Sequence, residues 1–266
     1  MVLLHIGAFR FDIDGQKSTF WHSLAPRTRV LGAALMVLAI AFTPNGHWWS
    51  WTLYGAALGG LIALSHVTWS ALLKRVAIEF AFVGTVLLGT LFHSGGEVLW
   101  QWGGLRITSM GLTVLGSVAF KASLCLVTLN FLTLTTSIAA LLQALVQLRV
   151  PPLLVAILAS MSRYIEVLID EFAAMRQASA SRNLGVASGR RQRSVIGSMF
   201  GALFIRTFER GERVHQAMLA RGYTGLPVAR GMPAGGRRDL VALSAIALVA
   251  LLGQAIYLPM LMNRYF

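Results

Sequence analysis

The stretch from Met110 to Leu134 runs for 25 residues with a single charge, Lys121. Crossing roughly 30 Å of hydrocarbon takes about 20 apolar residues in a helix. A backbone in lipid must also satisfy its own polar groups, which leaves helices and closed barrels. This one stretch therefore predicts a membrane-spanning helix. Four further segments read the same way: about Val30 to Thr43, Trp48 to Leu64, Val76 to Phe92 and Leu240 to Met260. The first is short and needs residues from its flanks. Trp48, Trp49 and Trp51 open the second span, and Trp100 and Trp102 precede the fourth. Such rings suit the headgroup level, where one side is wet.

Usage agrees, since 56% of residues are apolar and only 12% charged, far from a soluble domain. Met1 to Pro26 carries Arg10, Asp12, Asp14 and Lys17 and no long apolar core. It reads as a short polar arm rather than a signal peptide. Cys125 is the single cysteine, which excludes a disulfide framework and a thiol metal cluster.

Lysines and arginines favour the cytoplasmic side of a membrane protein. With the N-terminus inside, 20 of the 23 basic residues fall on the cytoplasmic side; Arg106 and Arg264 fall outside, and Lys121 is within span four. The predicted orientation is N-terminus cytoplasmic and C-terminus outside. Two charges lie within spans. Glu79 is read as snorkelling or pairing with Arg75 four residues earlier. Lys121 is closer to mid-span, where burial of an ammonium calls for a nearby acceptor.

The chain divides on this reading into residues 1–134, the arm and spans one to four; 135–238, a cytoplasmic helical region; and 239–266, the last span and tail. Ser137 is placed to cap a short apolar helix that ends before Pro151-Pro152. A proline pair cannot lie inside a helix but starts one well. A long helix is expected from Pro152 to Arg182, about 45 Å at 1.5 Å per residue. A polar turn, Gly185 to Arg193, precedes a second long helix from Ser194 or Val195 to Arg221. Phe200, Phe204 and Phe208 give this helix one apolar stripe, and Glu209 and Arg213 make a favourable i, i+4 pair.

A device repeats in these two helices at an offset of 39 residues. Asp170 aligns with Glu209, Gln177-Ala178 with Gln216-Ala217, and Arg182-Asn183 with Arg221-Gly222. Each copy places an arginine in the last turn beside a residue that tolerates the left-handed conformation of a helix stop. Arginine there complements the negative end of the helix dipole. Residues 163–238 hold 13 basic and five acidic side chains, and attraction to anionic lipid headgroups accounts for such a charge by itself. It does not account for two long helices ending in matched arginine stops, which suit the groove of another protein.

Other chemistries lack their residues. Gly15-Gln16-Lys17-Ser18 has glutamine where a phosphate-binding loop needs glycine before the lysine, so ATP is not expected to bind this chain. The histidines (His5, His22, His47, His66, His93 and His215) show no ligand spacing, and no carboxylate cluster supports a metal site. Nucleophile motifs and paired intramembrane carboxylates are missing, and the basic segment lacks the aromatic interleaving of a nucleic-acid binder.

Three stretches resemble one known family. Trp21-His22-Ser23-Leu24-Ala25-Pro26-Arg27-Thr28-Arg29-Val30 is similar to its Leu-Asp-Pro-Arg approach to span one, with Ala25 in the place of the acid. Ser162-Arg163-Tyr164 with Asp170-Glu171 is similar to the start of its first long coupling helix. Glu212 to Tyr223 is close to its second Ala-Arg-Gly motif, while the first motif is altered to Ser181-Arg182-Asn183. The chain looks like the transmembrane coupling component of energy-coupling-factor (ECF) transporters, in the cobalt or nickel branch named CbiQ. The resemblance implies an all-α integral membrane protein with about five transmembrane helices plus two long cytoplasmic coupling helices. It further implies two copies of an ABC-type ATPase subunit, a membrane metal-capture subunit like CbiM and a small accessory membrane subunit. ATP would reside on the ATPase subunits, with no cofactor, metal or catalytic residue on this chain. The ATPase-coupling residues carried over are Ser181, Arg182, Asn183, Ala220, Arg221 and Gly222. A nickel or vitamin transporter of the same design is the alternative, followed by a stand-alone channel using Lys121 and Glu79.

Overall fold

Pro26 occupies the first turn of a helix, where a missing N–H costs nothing, and α1 runs from there as Pro26–Phe42. The structure, a computed structural model, describes residues 21–65, 67–90, 98–102, 105–182, 189–223 and 236–255. Helices α2 (Trp48–Ser65) and α3 (Trp69–Thr90) follow, then strands β1 (Val98–Trp102) and β2 (Leu105–Thr108). Helices α4 (Ser109–Thr135), α5 (Ile138–Gln147), α6 (Pro152–Ser181), α7 (Arg190–Ala220) and α8 (Arg237–Ala255) complete the described elements. The fold is an all-α membrane architecture with one short antiparallel hairpin, in which Trp102 faces Leu105 and Val98 faces Thr108.

The chain forms two units, Met1–Ala144 with Met232–Phe266, and Leu145–Gly231. In the first unit α4 packs on α1, α2 and α3, and α8 packs on α1 and α2. Its core is Ile40, Trp51, Tyr54, Leu58, Leu124, Phe131, Leu134 and Ile246. Lipid is as apolar as leucine, so helices in it associate through close packing and interhelical hydrogen bonds. Both devices are present. Gly32 lets α8 approach α1: a Cβ there would stand 2.8 Å from Ile246. A Cβ at Gly253 would collide with the Tyr54 ring. Gln254 donates to the Ala39 carbonyl at 2.9 Å, and Tyr54 to the Ala250 carbonyl at 3.3 Å.

The approach to α1 is a buried polar node. Arg29, only 8% exposed, donates to three carbonyls: Nε to Leu24 at 3.2 Å, Nη1 to Thr135 at 3.0 Å, and Nη2 to His22. Trp21 stacks on Phe131 at 5.0 Å and donates to the Thr135 hydroxyl at 3.0 Å. Asp239 accepts the N–H of Ala25 and that of Gly236, each at 2.8 Å. The α1 approach, the end of α4 and the start of α8 are thereby joined.

Several boundaries differ from the sequence reading. α7 begins at Arg190 rather than Ser194 or Val195, because arginine and glutamine are good helix formers and Gly189 turns in with φ 72°. α8 begins at Arg237, three residues before the expected span. Ser137 caps α5 as expected, accepting the Ala140 N–H at 3.3 Å. α5 ends before the proline pair as expected, by a turn whose conformation was not foreseen. Arg149 has φ 60°, and the N–H groups of Arg149 and Val150 reach back to Val146 and Leu145 at 3.0 and 3.1 Å.

Three helices among the described residues are long and apolar enough to cross a membrane: Gly111–Thr135, Pro152–Ser181 and Arg237–Ala255. α6 was expected outside the bilayer, yet it meets this criterion through its first half. There Leu153, Leu154, Ile157, Leu158 and Met161 stand exposed, while Arg163, Glu166, Asp170, Glu171 and Arg176 fill the second half.

Candidate functional site: two arginine-tipped helices

α6 and α7 run antiparallel. Phe172 stacks on Phe200 with centroids 5.0 Å apart. Further along α6, Met175, Ala178, Ser179 and Arg182 face Val195, Ser198, Met199 and Ala202 across a cleft of about 260 Å³. Progress toward the end of α6 is thus progress toward the start of α7. Glu171 bridges the pair, with Oε2 3.2 Å from Arg210 Nη2 and Oε1 3.7 Å from Arg206 Nη1. Antiparallel packing sends the two C-termini, and with them Arg182 and Arg221, to opposite ends.

Each arginine is the residue just beyond its helix rather than part of the last turn. The two backbones are nearly identical: φ −91°, ψ 14° at Arg182 and φ −91°, ψ 11° at Arg221. Gly222 follows with φ 76°, and its N–H reaches Leu219 at 3.0 Å while that of Tyr223 reaches Met218 at 3.0 Å. This pairing satisfies two orphan carbonyls and needs a left-handed residue in the middle, which is why glycine stands at 222. Ser181 turns its hydroxyl back onto the Gln177 carbonyl at 3.0 Å. Asn183 lies outside the described residues. Ser181, Arg182, Ala220, Arg221 and Gly222 are all exposed. Each end therefore offers an unshielded guanidinium, the side chain best shaped for paired hydrogen bonds to carboxylates.

The Phe200, Phe204 and Phe208 stripe is not buried within this chain; the three are 56%, 73% and 67% exposed. The Glu209–Arg213 pair forms at 3.8 Å between side chains more than half exposed, where such a bridge contributes little. The two intramembrane charges belong to the first unit. Lys121 Nζ donates to Asn45 Oδ1 at 3.1 Å and lies 5.9 Å from the centre of the Trp51 ring; Glu79 accepts from Asn130 Nδ2 at 2.6 Å rather than pairing with Arg75. Among the described residues no cluster of three His, Cys, Asp or Glu side chains is able to hold a metal ion. Sequence reasoning missed the Glu171 bridge and the cleft beside Arg182. The bridge had a signal, since the 39-residue offset carries position 171 onto 210.

A family described as "CbiQ: Cobalt transport protein" matches residues 17–232. The chain is 31% identical to an energy-coupling factor transporter transmembrane protein EcfT of Streptococcus equi, over 77% of this chain and 79% of that one. It is 29% identical to the EcfT of Bacillus subtilis over 87% and 92%. With EcfT 1 of Listeria monocytogenes the identity is 29% over 77% and 80%. This chain, an all-α integral membrane protein, belongs to the CbiQ family of cobalt transport proteins.

Proposed function

We propose that this chain is the coupling subunit of an ATP-driven ECF-type importer whose cargo is a metal ion, cobalt first. The cargo follows the family's description; the mode of action follows from the helix pair. The observation that carries it is the matched geometry of Arg182 and Arg221, two exposed helix stops of nearly equal backbone conformation on opposite ends of one antiparallel pair. Two like prongs suit two like sockets, so the partner is a pair of ATPase subunits. In this reading each guanidinium enters a groove lined with acids or carbonyls, and ATP-driven closure of the ATPase pair moves both prongs together. The helix pair then acts as a lever biased by different contacts in two ATPase states. The distribution of basic residues places the N-terminus and both long helices on the cytoplasmic side. The exposed apolar half of α6 and the phenylalanine stripe of α7 meet lipid and the membrane capture subunit. The chain itself performs no catalysis and holds no ATP.

A second reading keeps the lever and changes the cargo, because the names of the EcfT relatives specify no metal. Nickel or a vitamin then replaces cobalt, and uptake assays with each capture subunit decide between them.

The test is substitution at the prongs. Losing a hydrogen-bonded charge at a protein interface costs about 2–5 kcal/mol. Arg221→Ala weakens ATPase capture during co-purification, and the double variant with Arg182→Ala abolishes uptake of radioactive cobalt(II) while membrane insertion stays normal. Arg213→Ala, an exposed arginine within α7 whose solvated pair with Glu209 contributes little, is the control. Equal, mild losses at all three positions would mean that the basic segment serves only lipid.

A further inference from the structure

We infer that Glu171 is the pivot of the helix pair, fixing the crossing of α6 and α7 so that force applied at one arginine end reaches the other. The inference rests on the coupling function proposed above. Position is the first argument. The 39-residue offset that superimposes the two copies carries Glu171 onto Arg210, and these two residues touch at 3.2 Å. Both arginine stops stand 11 residues beyond this pair, about 16 Å at 1.5 Å per residue.

Burial is the second argument. The Glu171 side chain is only 17% exposed and its Oε2 is sealed from solvent. A carboxylate shielded in this way interacts more strongly with a guanidinium than a surface pair does, and removing its partner leaves an uncompensated charge. Glu209 with Arg213, along one helix and well solvated, has neither property.

The third argument is the grip from α7. Arg206 and Arg210, one turn apart on that helix, take different oxygens of the same carboxylate. Sliding α6 along α7 by one turn breaks at least one of these contacts, whereas changing the crossing angle breaks neither. The bridge therefore opposes sliding and permits scissoring. Opposed arms about such a point convert closure of two sockets into one angular change.

The experiment uses the complete transporter, purified with its co-expressed ATPase and capture subunits and placed in lipid nanodiscs. Nitroxides are attached at Gln177→Cys and Gln216→Cys, equivalent exposed positions, in a Cys125→Ala background, and their separation is read by pulsed electron resonance. With Glu171 intact we expect a narrow distance that shifts when a non-hydrolysable ATP analogue is added. The neutral triple variant, Glu171→Gln with Arg206→Gln and Arg210→Gln, should roughly double the width of the distribution and lose the shift, while retaining the ATPase subunits. The reversed pair, Glu171→Arg with Arg206→Gln and Arg210→Glu, should restore both the narrow distance and the shift. A neutral triple variant that keeps a narrow, nucleotide-dependent distance overturns the pivot. So does one that sheds its ATPase subunits, since Glu171 is then a docking or folding residue. If the parent complex captures its ATPases only as well as the double arginine variant does, the coupling function fails, and the pivot with it.

Discussion

In the first unit, polar side chains join one helix to another: Arg29 reaches Thr135, Tyr54 reaches Ala250, Gln254 reaches Ala39 and Glu79 meets Asn130. Gly32 and Gly253 let α8 lie close to α1 and α2, where the Gln254 and Tyr54 bonds form. In the second unit Gly197, Gly201 and Gly211 of α7 have nothing within 4 Å of where a Cβ would sit. There the helices are joined by the Phe172–Phe200 stack and the Glu171 bridge. An aromatic stack of this kind contributes about 0.5–1.5 kcal/mol beyond its area. The contrast separates two jobs. One unit fixes helix against helix at many points, as a frame does; the other leaves much of its surface and both its arginine tips exposed.

Substitutions at matched positions test that contrast. The largest loss is expected at Arg29→Met, which removes three hydrogen bonds from a buried guanidinium and leaves the carbonyls of His22, Leu24 and Thr135 short of a donor. A cost of about 3 kcal/mol is expected, read as a lowered Tm of the purified chain in detergent by tryptophan fluorescence. Arg29→Lys recovers little of it, because an ammonium cannot fork to three acceptors. An unchanged Tm would remove the node from the frame.

Gly253→Ala comes next. Its new methyl meets the fully buried Tyr54 ring, and overpacking of this kind costs about 1–3 kcal/mol. Tyr54→Phe does not relieve it, since the ring stays; Tyr54→Ala in the same chain does. Failure of that rescue would show that the contact between α2 and α8 is looser than described.

Lys121→Met follows, with an expected loss of about 1 kcal/mol for the bond to Asn45 and no change in which metal is taken up. An altered metal preference with assembly intact would make Lys121 part of the ion path. The smallest effect is expected in the other unit. Gly211→Ala meets empty space and removes a flexible residue from an exposed helix, so a gain of about 0.5–1 kcal/mol is expected. A clear loss there would place α7 against a neighbour and blur the distinction between the units.

The helices were legible because their signals are local. Pro26 and Pro151-Pro152 set starts, Ser137 caps α5, and the Arg221-Gly222 stop is written in two adjacent residues whose backbone needs are fixed by sterics. The same locality explains the misses. The polar run Arg190 to Arg193 reads as a turn by composition, yet helix propensity holds it in α7 once Gly189 supplies the turn. The left-handed turn at Arg149 was missed because such an arginine is uncommon and no composition rule marks it.

From its sequence alone this chain is bound to be helical and membrane-embedded, and to end its two long helices on arginine. Charge-free length, proline and glycine act within a few residues of themselves, and the 39-residue repeat needs no fold to be seen. Which residues meet was decided only by tertiary structure. Glu171 and Arg210 are separated along the chain by the whole turn between two long helices, and their contact exists because α6 and α7 run antiparallel at one register. Nor does sequence show that Asp239 accepts an N–H from the approach to α1 or that Asn45 accepts a hydrogen bond from Lys121. Partners of this kind are chosen by where distant helices pack, and that depends on the summed fit of many side chains.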